Sequence, residues 1–301
     1  MIFSFGNLSP DSDVVLIYGN CQAPYVGELL AAADAPQSGR HYLCVLNHAV
    51  PGAEIELPDK ALLARCVLYI EQIDERAEVP IRSFLRDNIP AGVETATYPP
   101  VVMMCFWPFE TVDKRIGSSR YYPWGRYNGD MIGMQVARQG LTGDAAYGAY
   151  MDLAEKRMPN LANRLQWDID AISARDQAAD VQIGDYLATS YRYKHIFWTA
   201  GHLEIEPMAV LTCRLYEHLS PRLGGDRAEG LRLLDAFAFE LQDRVGGMGN
   251  TQLPINPLVA QGLGLHYGGE DMVYRWYDQE WTFKDYITRY IANDEAWGLQ
   301  E

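Results

Sequence analysis

The chain has 301 residues, 48% of them hydrophobic, which is enough for a sizeable core and argues against disorder. It carries 25 Lys and Arg against 40 Asp and Glu, a formal charge of −15, so its mean surface field repels polyanions and makes nucleic acid a poor partner. A small anionic ligand is still compatible, because a few cations in one pocket outweigh the mean field locally.

No basic stretch followed by an apolar run and a small-residue cleavage site opens the chain, and no run approaches about 18 uninterrupted apolar residues. The expectation is a cytoplasmic protein without a membrane span. Cys21, Cys44, Cys66, Cys105 and Cys213 are odd in number and lack C-x-x-C spacing, which points to reduced thiols rather than a disulfide framework, and to no metal cage.

In chain order, the apolar run at 14–18 reads as a first strand, Gly19-Asn20 as a turn, and 22–33 as a helix that tolerates Pro24 in its first turn. Strands are expected at 41–46 and 66–70, a short helix at 81–86, and a fourth strand at 101–106 after Tyr98-Pro99-Pro100. Residues 121–129, aromatic and rich in glycine, read as a structured loop in which Tyr122, Trp124 and Tyr127 either stack on a ligand or simply pack. Helical patterns follow at 132–139, 144–155, 160–178 and 183–190, then a strand at 196–199, helices at 207–219 and 228–241, and a closing helix at 281–293. Continuous apolar strands alternating with helices predict an α/β fold, a mostly parallel sheet flanked by helices with extra helical segments. With no repeat or flexible linker in view, residues 1–301 read as one domain with a mainly helical insertion at about 130–190.

Ligands of open α/β sheets bind at the carboxyl ends of strands, and strand-Gly19-Asn20-Cys21-Gln22-helix places a thiol at that edge. Backbone N–H groups at a helix N-terminus favour thiolate, lowering a cysteine from near ~8.5 to roughly 3.5–7.5, and can hold a developing oxyanion. Asn20 and Gln22 bring amide groups beside the sulfur. Cys21 is on this reading a nucleophile; the alternative is a small buried hydrophobe. The other four cysteines lie inside apolar runs and read as core.

A nucleophile needs a base. His202 ranks first, because it follows the strand at 196–199 in a Gly-His turn and is expected to emerge at the same sheet edge as Cys21. His41 and His195 open strands, His218 falls late in a helix, and His48 and His266 are weaker candidates in loops.

The run Ile17-Tyr18-Gly19-Asn20-Cys21-Gln22-Ala23 resembles the GNCQ opening of the WcbI-type capsular polysaccharide biosynthesis proteins, a family that binds coenzyme A and for which acetyl transfer is the expected activity. Further blocks agree in order: Gln72 after the third strand, Tyr98-Pro99, Tyr127-Asn128-Gly129-Asp130, residues 183–202, Pro254, Pro257-Leu258-Val259 and residues 286–291. The resemblance spans about residues 13 to 293 and implies a coenzyme A pocket with a cysteine–histidine pair, here Cys21 and His202. The family's histidine is usually flanked as Asn-His-Pro, whereas Gly201 and Leu203 stand here. The arrangement also resembles GDSL-type hydrolases, whose aspartate three residues before the histidine would fall at Thr199, so no full triad is visible.

The resemblance implies acyl transfer from acetyl-CoA, as co-substrate, to a hydroxyl of a sugar or nucleotide-sugar. Either Cys21 takes the acetyl group first, or His202 activates the acceptor hydroxyl directly; both routes stay open. Oxyanion donors are expected from the Cys21 and Gln22 N–H groups and the Gln72 amide. The phosphates of coenzyme A call for cations, for which Arg126, Arg192 and Lys194 are candidates beside Tyr127, and Asp130 either orients substrate or caps the next helix. Hydrolysis of a thioester or ester by the same dyad, and non-catalytic binding of coenzyme A or a sugar, are the alternatives.

Overall fold

The computed structural model describes residues 1–34, 39–48, 56–73, 80–113, 128–242 and 251–293. Its elements begin with β1 (Ile2–Gly6), β2 (Val14–Gly19), α1 (Ala23–Asp34), β3 (His41–Leu46), α2 (Lys60–Leu63), β4 (Cys66–Gln72), α3 (Pro80–Asn88) and β5 (Glu94–Tyr98). They continue with β6 (Glu110–Thr111), β7 (Gly129–Asp130), α4 (Met131–Ala137), α5 (Gly143–Arg157), α6 (Leu161–Ala178), α7 (Gly184–Ser190), β8 (Phe197–Thr199) and β9 (His202–Leu203). The last are α8 (Ile205–Leu223), α9 (Arg227–Gln242), α10 (Pro257–Leu263), β10 (Val273–Trp276), β11 (Gln279–Thr282) and α11 (Phe283–Ala292). The chain divides into two compact units. The first comprises Met1–Val101, Ala171–Ala188 and Leu203–Arg244, and the second Val102–Asp170, Thr189–His202 and Val245–Glu301. Among the described residues, no helix is long and apolar enough to cross a membrane.

The first unit is built on a five-stranded sheet in the order β1-β3-β2-β4-β5. Strands β2 to β5 run parallel and β1 closes one edge antiparallel to β3. Both β2 and β3 are buried along their whole length, which is why their apolar residues run on without alternation. One face packs Val14, Leu16, Tyr18, Leu43, Val45 and Tyr69 against Leu63 of α2 and Ile81 and Leu85 of α3. The other face receives α1, which in turn packs on α8 and α9. Gly27 permits that approach: a Cβ there would overlap the Cys44 sulfur.

Two strand expectations need correction. Residues 101–106 form no strand; the fourth parallel strand is β5, just before Pro99-Pro100. The backbone of 101–105 is satisfied outside any ladder: Val101 N–H donates to Gln22 Oε1 (3.3 Å), its carbonyl accepts from Gln22 Nε2 (2.7 Å), Met103 N–H donates to the Ala200 carbonyl (3.0 Å), and Cys105 N–H donates to Asp168 Oδ2 (2.8 Å). An apolar run buried by tertiary contacts therefore mimics a strand. The run at 196–199 is a strand, β8, but it pairs with β9 in a separate two-stranded sheet. Strand β1 escapes the sequence pattern because three of its five residues are exposed and none is buried.

In the second unit, α4, α5 and α11 pack together. The hairpin β10–β11 stacks Trp276 on Trp281 with ring centroids 5.1 Å apart. Helix α11 opens with a capping box in which Thr282 and Asp285 satisfy each other's backbone N–H groups. In the β6–β7 ribbon, Gly129 runs so close to Thr111 that a Cβ would strike the Thr111 carbonyl.

Candidate active site

Cys21 occupies the turn between β2 and α1, at the carboxyl end of the strand from which the chain order runs outward on both sides, to β3 and to β4. This is the place in an open α/β sheet where ligands settle. The turn is held by side-chain amides. Asn20 N–H donates to Gln72 Oε1 (2.8 Å), Gln22 N–H donates to Asn20 Oδ1 (2.9 Å), and Gln72 Nε2 donates to Gln22 Oε1 (2.9 Å). Gln22 and Gln72 are buried, and Gly19 leaves no room for a side chain, since a Cβ would meet the Tyr98 hydroxyl and Gln72. Asn20, Gln22 and Gln72 thus come together with Cys21, and their amides spend their hydrogen bonds on one another and on Val101.

Cys21 is half-buried. Burial pushes the Cys21 thiol up to about 11, opposed only in part by its own backbone N–H. The expectation of a thiolate favoured by the helix N-terminus is therefore corrected: desolvation disfavours the charge more than one aligned N–H favours it. The hydroxyl of Tyr98, beside Gly19, is buried with no hydrogen-bond partner among the described residues. Tyr98 was legible in the sequence only as a step before Pro99.

His202 opens β9, after the two-residue turn Ala200-Gly201. Its Nδ1 lies 2.5 Å from Thr199 Oγ1. Thr199 stands where a hydrolase triad would place its aspartate, so a hydroxyl orients the imidazole there. The turn is pinned by the Met103 N–H on the Ala200 carbonyl, and β8 by the Leu253 N–H on the Trp198 carbonyl (2.7 Å). The strand that carries His202 is not part of the main sheet, so the edge argument that paired it with Cys21 does not hold. Cys21 lies in the first unit and His202 in the second.

The family model for the polysaccharide biosynthesis enzyme WcbI matches residues 14–223, most of the chain. The chain belongs to this family. A solved structure described as WcbI, a polysaccharide biosynthesis enzyme, in its native form without a disulfide bond between coenzyme A and one of its cysteines, shares the fold. It has a TM-score of 0.62 and 15% identity, covering 94% of this chain and 91% of that one. No curated protein matches.

The remaining residues singled out as family-like take varied places. Asp130 caps α4: its carboxylate accepts from Gly133 N–H (2.7 Å) and from the Tyr150 hydroxyl (2.9 Å), and burial lifts it to about 6. Arg192 and Lys194 are exposed in the turn after α7, and Arg192 Nε donates to the Tyr191 hydroxyl (2.8 Å). Arg126 and Tyr127, like Tyr122 and Trp124, lie outside the described residues. Gly201, where the family usually has Asn, has nothing within 4 Å of an added Cβ.

Proposed function

We propose that this family member transfers an acyl group from acetyl-CoA to a hydroxyl of a sugar or nucleotide-sugar, with Cys21 and His202 in the chemical roles and Asn20, Gln22 and Gln72 as the scaffold of the cysteine turn. The observation that carries the reading is a half-buried cysteine at the carboxyl end of β2, in a turn held by hydrogen bonds among Asn20, Gln22 and Gln72. The related structure is described by reference to coenzyme A and one of its own cysteines, and Cys21 is the cysteine that follows β2 at the carboxyl edge of the parallel sheet. Acetyl-CoA supplies the acyl group as an activated thioester. Arg192 and Lys194, with Arg126 and Tyr127, are the proposed contacts for its phosphates and adenine.

A thiol held near 11 carries on the order of one thiolate in ten thousand at pH 7, which favours direct transfer over a standing thiolate attack. In that route His202 accepts the acceptor's hydroxyl proton at Nε2, with Nδ1–H donated to Thr199; the alkoxide attacks the thioester carbonyl, the C–S bond breaks, and the proton passes to the departing CoA thiolate. The Cys21 N–H is the proposed donor to the carbonyl oxygen, because the Gln22 N–H is already given to Asn20.

The test is a melting-shift titration with coenzyme A followed by turnover of acetyl-CoA with and without sugar acceptors. Stabilisation by coenzyme A and acceptor-dependent release of free CoA support transfer. Release of CoA without an acceptor supports the hydrolase alternative, and no shift at millimolar ligand refutes both. An acetyl adduct on Cys21 in intact-mass spectra, lost in Cys21→Ala together with turnover, would replace direct transfer by the covalent route.

A further inference from the structure

The second unit contains a pocket that opens to solvent, its walls including Phe106, Phe109, Glu110, Asp130, Asn256 and Tyr286. Two of these side chains carry buried polar atoms without a hydrogen bond among the described residues. Asn256 is 4% exposed, and its Oδ1 accepts from the Leu258 N–H (2.8 Å) to cap α10, which fixes the amide so that Nδ2 points the other way. That nitrogen lies near enough to the Tyr150 hydroxyl to ease the ionisation that burial opposes, but outside hydrogen-bond geometry. Glu110 accepts from Asn128 Nδ2 (3.1 Å) at Oε1, while Oε2 is buried and unpaired.

The residues lining the pocket thus include a donor lacking an acceptor and an acceptor lacking a donor. An ammonium group satisfies only the second and an anion only the first. A hydroxyl satisfies both, because it donates one proton and accepts on its lone pairs. The space in which the centre of a water-sized group can lie is about 30 Å³, room for a hydroxyl or hydroxymethyl group. Phenyl and tyrosyl rings make up much of the remaining wall, the surface on which the apolar C–H face of a sugar packs.

We propose that this pocket takes one hydroxyl-bearing arm of a carbohydrate, with the arm's O–H donating to Glu110 Oε2, its oxygen accepting from Asn256 Nδ2, and the ring seated at the mouth. The assignment rests on the reading above that the acceptor is a sugar. A side-chain shift at the pocket floor accompanies binding, since both orphaned atoms are sealed from solvent without the ligand.

The experiment is a calorimetric and saturation-transfer NMR titration of the full chain, without coenzyme A, using methyl hexosides, their 6-deoxy counterparts and glycerol. At least one hexoside should bind, its 6-deoxy form should bind about tenfold more weakly, and Glu110→Gln and Asn256→Asp should each lose about tenfold. Asn256→Asp keeps the capping oxygen and replaces the donor by a carboxyl oxygen; if either variant fails to fold, the deoxy comparison on the native chain decides. No binding of any probe to the native chain, equal binding of hexoside and deoxy-hexoside, or unchanged affinity in both folded variants overturns the proposal, and a crystal structure with a hexoside present that shows a structural water only between Glu110 and Asn256 does so too. A failed coenzyme A shift refutes the transfer reading and leaves this titration standing, so the two failures are separable.

Discussion

At Cys21 and His202 the decisive terms are burial and one hydroxyl. Because the Cys21 thiol is held near 11, its alkylation by iodoacetamide in the free protein should keep rising with pH toward that value and run slower than a model thiol at pH 7. A rate plateau below pH 8 would show a stabilised thiolate and refute the desolvation argument. His202 relies on Thr199 for its orientation, where a triad would use a carboxylate. Thr199→Val should lower kcat by about tenfold with little change in KM for the acyl donor. Thr199→Asp should restore activity and move the acidic limb of the pH profile upward, because a carboxylate stabilises the imidazolium and neutral imidazole then appears only at higher pH. An unmoved limb would mean that Thr199 is not what sets the histidine.

Between β2 and α1, local structure depends on partners from other strands. Gln72 ends β4 and Gln22 precedes α1, and their side chains bond each other, Asn20 and Val101. Gln72→Leu leaves the Asn20 N–H and Gln22 Oε1 short of partners and should cost about 2 kcal/mol in urea unfolding with an unchanged m value. The double variant Gln22→Leu/Gln72→Leu should cost less than the sum of the two single losses, because a broken network is removed rather than left half-satisfied. Strict additivity would mean that the two amides act independently. The same network shows why 101–106 misled: Val101 has strand-like neighbours in sequence, but a glutamine side chain takes both of its backbone groups.

For the molecule as a whole, the buried carboxylates of the second unit set a pH dependence. Asp130 is lifted from 3.8 to about 6 by burial, and Glu110 is raised for the same reason. Between pH 3.8 and 6 the folded chain holds a proton on Asp130 that the unfolded chain has released, so stability falls as pH rises through that window. The loss attributable to Asp130 is on the order of 2 to 3 kcal/mol at neutral pH. Asp130→Asn, which keeps an oxygen for the Gly133 N–H, should flatten the slope of melting temperature against pH there; an unchanged slope would mean the carboxyl titrates as if exposed. Apolar runs such as Val14–Gly19 and His41–Leu46 already announced a buried parallel sheet, since strands covered on both faces have no polar side to show, and the order strand-Gly19-Asn20-Cys21-helix put the thiol at its carboxyl edge. What lay beyond reach of one-dimensional pattern was every property set by distant partners: that Cys21 is desolvated, that residues 196–199 join a hairpin instead of the sheet, that Thr199 meets His202, and that Glu110 and Asn256 share a pocket. Periodicity reports how much of a side chain is covered, whereas ionisation, pairing and hydrogen bonding depend on which atoms cover it.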